Sequence, residues 1–218
     1  MVIGLDSSAV MVESYGERWA LLMIYPMTEN QEAFDAILHS AREEIMQNGI
    51  LGLRVADVAA AANTSITQIY RFFRNRDGLL AKVLGDIYDE QSQMSVDAYL
   101  ARLPAKNDLT IDDLVGAVPL VMTEDQVKFH ELRLQILATS IHNPDLRKQL
   151  KLCTQNLLEI WTTGLAGLQQ RMASGEKFDE RVFLMHFAQL NPYYRTLIDD
   201  RFFTPEEYRE FLREKMRA

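Results

Sequence analysis

Residues 54–80 read RVADVAAAANTSITQIYRFFRNRDGLL. Val55, Val58, Ala59 and Ala62 recur at the three- and four-residue spacing that puts apolar side chains on one face of a short helix. Asn63 follows, a residue that enters the left-handed backbone region at low cost. Ser65 then offers a side-chain oxygen to the free amides of a second helix, whose buried side is Ile69, Phe72 and Phe73. Asn75 is placed to cap a further helix, with Asp77 in its favourable first turn. Leu79, Leu80, Val83, Leu84 and Ile87 carry that helix towards Tyr99. Two short helices crossing at a tight turn make a helix-turn-helix. Its requirements are met in order. Ala59 and Ala62 are small enough for the crossing, Asn63 suits the turn, Thr67, Gln68 and Arg71 give the second helix a polar face, and Arg54, Arg74 and Arg76 charge its flanks.

The charge pattern supports a polyanion as partner, although the total does not. The 218-residue chain carries a net charge of -8. Residues 1–48 hold two bases against eight acids, and residues 83–218 hold sixteen against twenty-one. Residues 49–82 hold five bases against two acids, so a short basic island sits inside an acidic chain. Hydrophobic residues at 48% and charged residues at 25% are those of an ordinary folded protein and exclude disorder along the whole chain. One cysteine, Cys153, excludes an internal disulfide and fits a reducing compartment. The apolar run over residues 19–27 contains Pro26, is too short to span a bilayer, and lacks the basic flank of a secretion signal. A cytoplasmic protein without a membrane partner is the expectation.

Outside the deciding stretch, helical periodicity continues and predicts an all-α fold. Thr28 and Gln31 have capping-box spacing and open a stripe of Phe34, Ile37, Ala41 and Ile45, which Asn48 and Gly49 close, giving a helix over 29–48. Thr110 can cap a segment reaching Met122. Residues 125–141 are apolar on most sides and read as a central helix. Asn143, Pro144 and Asp145 form a cap, a first-turn proline and a first-turn acid, opening a long helix that Ser174 and Gly175 end. Pro192 should kink or split the run from Phe183 to Ile198. Thr204 and Glu207 form a second capping box, with Pro205 at the first position of a terminal helix.

The stretch from Ala33 to Leu84 resembles the DNA-binding domain of the TetR family of transcriptional regulators. The residues that carry the resemblance are Val55 to Ala59, Ala62 to Ser65, Ile69 to Phe73 and Asn75 to Leu80; Ile141 to Arg147 resembles a helix junction of the family's larger domain. The resemblance implies three segments. Residues 1–27 would be an N-terminal extension, 28–82 the helix-turn-helix domain, and 83–218 a helical ligand-binding and dimerisation domain. It implies a homodimer that represses from a double-stranded operator and is released by a small, largely apolar effector, with no cofactor. Ser65 to Phe73 would be the recognition helix, with Ser65, Ile66, Thr67, Gln68 and Arg71 facing the major groove. Tyr70, Arg74 and Arg76 would meet phosphates.

The chemistry agrees with those roles, since arginine pairs bidentately with guanine and glutamine with adenine, while phosphate contacts position without reading sequence. Asn63 stands where the family usually has glycine. Leu53 and Arg54 stand where a threonine or serine usually caps the second helix, so Arg54 can meet a phosphate but the cap is lost, at about 1 kcal/mol. Ile66 replaces a polar residue and suits a thymine methyl.

In the larger segment, Met122, Phe129, Trp161 and Met172 are candidate pocket walls, or plain core. His130, Arg133, Thr139 and Asn156 are candidate polar anchors within apolar helices. Phe183, Phe187, Leu190, Tyr194 and Leu197 read as a dimer face.

Enzyme signatures are absent from the sequence. There is no phosphate-binding glycine loop, no G-x-S-x-G and no H-E-x-x-H, and four scattered histidines with one cysteine make no zinc site. The competing function is a TetR-like interaction protein that dimerises or captures a partner without reading DNA. Residues 1–26 either form a helix over 13–25 or are an upstream extension ahead of a natural start at Met27.

Overall fold

The computed structural model describes residues 29–119, 123–182, 184 and 204–217. Eight helices are defined within them: α1 (Glu29–Gly52), α2 (Val55–Ala61), α3 (Ile66–Phe73), α4 (Arg76–Leu100), α5 (Ile111–Gly116), α6 (Glu124–Ser140), α7 (Pro144–Gln170) and α8 (Pro205–Met216). Among the described residues there is no strand, and the extended backbone amounts to two isolated bridges, Leu109 with Met172 and Phe178 with Arg217. The fold is all-α, with a helix-turn-helix domain followed by a larger helical domain. The chain divides into two compact units, residues 1–83 and 84–218.

The first unit is built from α1, α2, α3 and the start of α4. Of the stripe foreseen on α1, Ile37 and Ala41 are fully buried, Ile45 nearly so and Phe34 half-buried. Gly49 breaks the helical path with φ 74° and ψ 168°, a backbone region open to glycine and few others. Ile50 and Leu53 then turn back into the core beside Val58, Ile69, Leu79 and Leu80. The cap of α1 expected at Thr28 lies outside the described residues, as do all of residues 1–28.

The second unit holds a core of Val96, Tyr99, Leu109, Leu114, Trp161, Leu165, Leu168 and Leu212, drawn from α4, α5, α7 and α8 and the segment ahead of α5. Tyr99 donates its hydroxyl to the Leu114 carbonyl at 3.1 Å, and its ring lies 6.1 Å from that of Trp161. Thr110 caps α5 as expected, through a capping box with Asp113. That helix stops at Gly116, however, well short of Met122, because a glycine and then Pro119 disfavour its continuation. Helix α7 begins at the predicted cap, where Asn143 accepts from the Leu146 amide at 3.0 Å. It ends at Gln170, ahead of Ser174 and Gly175, because the chain leaves the helix to pair with Leu109: Leu109 donates to the Arg171 carbonyl and Ala173 donates to that of Leu109. Thr204 and Glu207 form the predicted box at α8, with Pro205 in the first turn. The segment expected to kink at Pro192 lies outside the described residues.

Candidate nucleic-acid interface

Helices α2 and α3 meet through backbone conformations that their turn residues dictate. Asn63 takes φ 49°, and the amides of Asn63 and Thr64 donate to the carbonyls of Ala60 and Ala59 at 3.2 and 2.9 Å. That pair of bonds is the Schellman closure of a helix, with asparagine in the left-handed position usually given to glycine. Ser65 opens α3, its hydroxyl accepting from the Gln68 amide at 3.1 Å. Ile69 is fully buried and Phe73 nearly so, which fixes the rotation of α3 and turns the opposite face outward. Phe73 stacks on Phe34 of α1 with centroids 5.1 Å apart, and Phe72 meets the same ring edge-on at 5.5 Å. Such arrangements are the preferred ones for aromatic pairs.

The outward face is the one the sequence pointed to. Ser65, Ile66, Thr67, Tyr70 and Arg71 are exposed, and Gln68 is half-buried. The apolar side chain of Ile66 is 42% exposed. Arg54 is exposed at the start of α2 and makes no side-chain cap, so the helix does begin without one.

The end of α3 is unusual. Arg74 has φ 67° and ψ −49°, and the Asn75 amide donates across it to the Phe73 carbonyl at 2.8 Å. That is a γ-turn of the positive-φ form, rare and strained for a side-chain-bearing residue. The start of α4 holds it in place. Asn75 accepts from the Gly78 amide at 2.8 Å, and a Cβ at Gly78 would sit 1.9 Å from the Phe73 carbonyl oxygen. Only glycine lets α4 start this close to the end of α3.

Arg76 is half-buried and turned away from the exposed face of α3. Its Nε donates to the Leu53 carbonyl at 3.2 Å, and its Nη2 to those of Ile50 and Leu51 at 3.2 and 3.4 Å. The phosphate ligand expected from sequence therefore binds the carbonyls that α1 leaves without partners where Gly49 ends its regular path. Sequence reasoning missed this because the partners lie more than twenty residues away in the chain.

Residues 37–83 match the profile described as "Bacterial regulatory proteins, tetR family". The N-terminal domain is of the TetR family. The fold of the chain is shared with solved structures over most of its length. A candidate TetR-family transcriptional regulator from Mesorhizobium loti MAFF303099 is 13% identical, with a TM-score of 0.56 over 87% of this chain and 95% of that one. A candidate transcriptional regulator from Streptomyces coelicolor A3(2) is 16% identical, with a TM-score of 0.58 over 86% and 99%. The multidrug binding protein EbrR, solved in complex with imidazole, is 19% identical, with a TM-score of 0.57 over 88% and 95%. A comparison with curated protein sequences finds no match. TetR-family regulators are DNA-binding transcription factors rather than enzymes. No described helix is long and apolar enough to cross a membrane.

Beyond the TetR-family domain, the candidate pocket residues scatter. Trp161 and Met172 belong to the buried core cluster. Asn156 is exposed on α7, and Thr139 turns its hydroxyl onto the Gln135 carbonyl of its own helix at 2.7 Å. Helix α6 is less central than its composition suggested, since Ile136 is its one buried residue. Phe129, His130 and Arg133 lie together on it, half-buried. The Phe129 and His130 rings meet edge-on at 5.3 Å. Arg133 stands 3.9 Å over the Tyr88 ring and donates to Ser92 at 3.0 Å, while Gln91 donates to the Phe129 carbonyl at 3.4 Å. Tyr88, Gln91 and Ser92 were not foreseen. No sequence signal set them apart, because residues 89–93 are a run of polar side chains and only the fold shows that Gln91 and Ser92 are buried. Met122 and the dimer candidates Phe183, Phe187, Leu190, Tyr194 and Leu197 lie outside the residues whose side chains are described.

Proposed function

We propose that the protein is a ligand-responsive transcriptional regulator that binds a pseudo-palindromic operator as a homodimer and represses until a small effector releases it. The observation that carries the reading is the exposed face of α3. Ser65, Thr67, Tyr70 and Arg71 are presented to solvent by a helix whose other side is locked through Ile69 and Phe73. A rigid helix presenting hydrogen-bonding side chains, flanked by Arg54 and Arg74, is what major-groove readout requires. In this reading Arg71, Gln68 and Thr67 contact base edges, Ile66 meets a thymine methyl, and Arg54, Tyr70 and Arg74 contact phosphates. Arg76 positions the domain. Two-fold symmetry would place the two recognition helices one helical turn of DNA apart, or a multiple of that. EbrR, whose fold the chain shares, is a multidrug binding protein, which supports a small-molecule effector here. The cytoplasm, where a bacterial operator is found, is the expected compartment.

Selection from a random duplex pool tests the reading. A pseudo-palindrome should be enriched, and Arg71→Ala should weaken binding to it by about 1–3 kcal/mol while relaxing preference at one position per half-site. Absence of any enriched sequence, with ligand stripped by unfolding and refolding, favours the interaction-protein alternative.

A further inference from the structure

Arg133 is a half-buried charge of the second unit with no ion-pair partner among the described residues. Its described contacts are the Ser92 hydroxyl, at 3.0 Å from Nη1, and the face of the Tyr88 ring. Ser92 is itself buried and donates onward to the Tyr88 carbonyl at 2.8 Å. Among the described residues no carboxylate pairs with Arg133. Glu131 of α6, two positions away, is exposed. A guanidinium partly withdrawn from water without an anion is costly, and burial pushes Arg133 below the usual arginine range. Arginine has five N–H donors in a fixed fork, of which Ser92 takes one. A planar two-oxygen anion is the natural complement of the rest.

Gln91, adjacent to Ser92 on α4, supplies a second observation. It is 7% exposed and spends its amide N–H on the Phe129 carbonyl. Its Oε1 is buried without a hydrogen-bond partner. A buried acceptor without a donor is as uncommon in a folded interior as a cation without an anion. Here the two come from one turn of α4 and its neighbour α6. Burial and the nearness of Arg133 also hold His130 below the ordinary histidine range, so it is uncharged at neutral pH and Arg133 supplies the cluster's single positive charge. One charge suits a monoanion better than a phosphate.

We propose that Arg133 and Gln91 hold the head of a small hydroxylated organic acid, its carboxylate on the Arg133 guanidinium and its hydroxyl donating to Gln91 Oε1, with an apolar body lying along α6. The assignment rests on the regulator reading for its role as effector, but the binding itself does not. It sharpens the effector from largely apolar to anionic at one end.

Thermal-shift and calorimetric titrations of the full chain without DNA test the binding. The probes are 3-hydroxybenzoate and 3-hydroxydecanoate, their deoxy counterparts benzoate and decanoate, and the four corresponding amides. At least one hydroxy acid should raise the melting temperature in a concentration-dependent way, its deoxy counterpart less, and its amide not at all. The ligand series needs no variant. Arg133→Met should weaken the acid roughly tenfold or more, Arg133→Lys less. Gln91→Leu should make the hydroxy acid and its deoxy counterpart bind alike. No shift with any acid, equal shifts with acids and amides, or full acid affinity in Arg133→Met would each overturn the assignment. Operator selection, run separately, keeps the two readings apart. An acid that binds while no duplex is enriched leaves the site standing without the regulator. An enriched duplex with no bound acid leaves the regulator without this site.

Discussion

Arg76 shows how one side chain can look like a ligand contact and serve the fold instead. It lies in the basic island, two residues beyond Arg74, and charge alone gives it to a phosphate. Its three bonds to the carbonyls of Ile50, Leu51 and Leu53 tie the end of α1 and the approach to α2 to the start of α4. Hydrogen bonds from a charged donor contribute about 1.5–3 kcal/mol when their loss strands a partner. Arg76→Met should therefore lower unfolding stability by about that amount in a urea titration. DNA affinity measured well below the melting temperature should keep its dependence on salt. A shallower salt dependence with unchanged stability would return Arg76 to the phosphates. His130 gives a residue-scale prediction of another kind. Its pKa is lowered in the folded chain, so native protein resists a proton that the unfolded chain accepts near pH 6.5. Stability should be intact above that value and fall as the pH drops from it towards the lower folded value. Denaturation at pH 7.5 and 5.5 should show a smaller gap for His130→Gln than for the wild type.

Helix boundaries were legible where their determinants are local. Ser65, Asn75, Thr110, Asn143 and Thr204 each cap the helix expected of them, because a cap is a bond between residues three apart and can be seen in the sequence. Thr123 and Gln126 form a further box at the start of α6 that the same spacing would have revealed. What the sequence could not supply was tertiary. The bridge that ends α7 before Ser174 pairs Leu109 with residues more than sixty positions away, and the half-buried state of α6 depends on what lies beside it. The carbonyl partners of Arg76 and the place of Gln91 beside the expected anchor Arg133 were missed for the same reason. The start of α2 is a boundary where the local rule is broken, since Arg54 occupies the cap position without capping. Arg54→Thr should restore a side-chain acceptor and raise stability by about 1 kcal/mol. If Arg54 touches a phosphate, the same change should weaken operator binding, so stability and affinity should move in opposite directions. A gain in both would remove Arg54 from the interface.

At the scale of the whole molecule, an acidic protein is proposed to bind an acidic polymer, and the arrangement of charge decides how. With a net charge of -8, the chain as a whole repels DNA, so attraction must come from the few arginines of the island. Weak non-specific binding is the expected consequence, because general affinity for DNA scales with the number of phosphates neutralised. Geometry sets that number. Arg54 and Arg74 are exposed beside the recognition helix, Arg71 is assigned to bases, and Arg76 is engaged with backbone carbonyls. Tyr70 is neutral, so two cationic phosphate contacts per protomer make four in the proposed homodimer. The logarithm of the operator affinity should then fall against the logarithm of salt with a slope of about -4. Arg54→Ala or Arg74→Ala should each reduce the slope by about 2, since every substitution is made twice in the dimer. Arg76→Met should leave it unchanged. Fluorescence anisotropy on the selected operator between about 50 and 200 mM salt measures all three. A slope near -6 that Arg76→Met brings to -4 would show that Arg76 leaves its carbonyls when DNA is bound, and that the clamp seen in the free protein is a resting position.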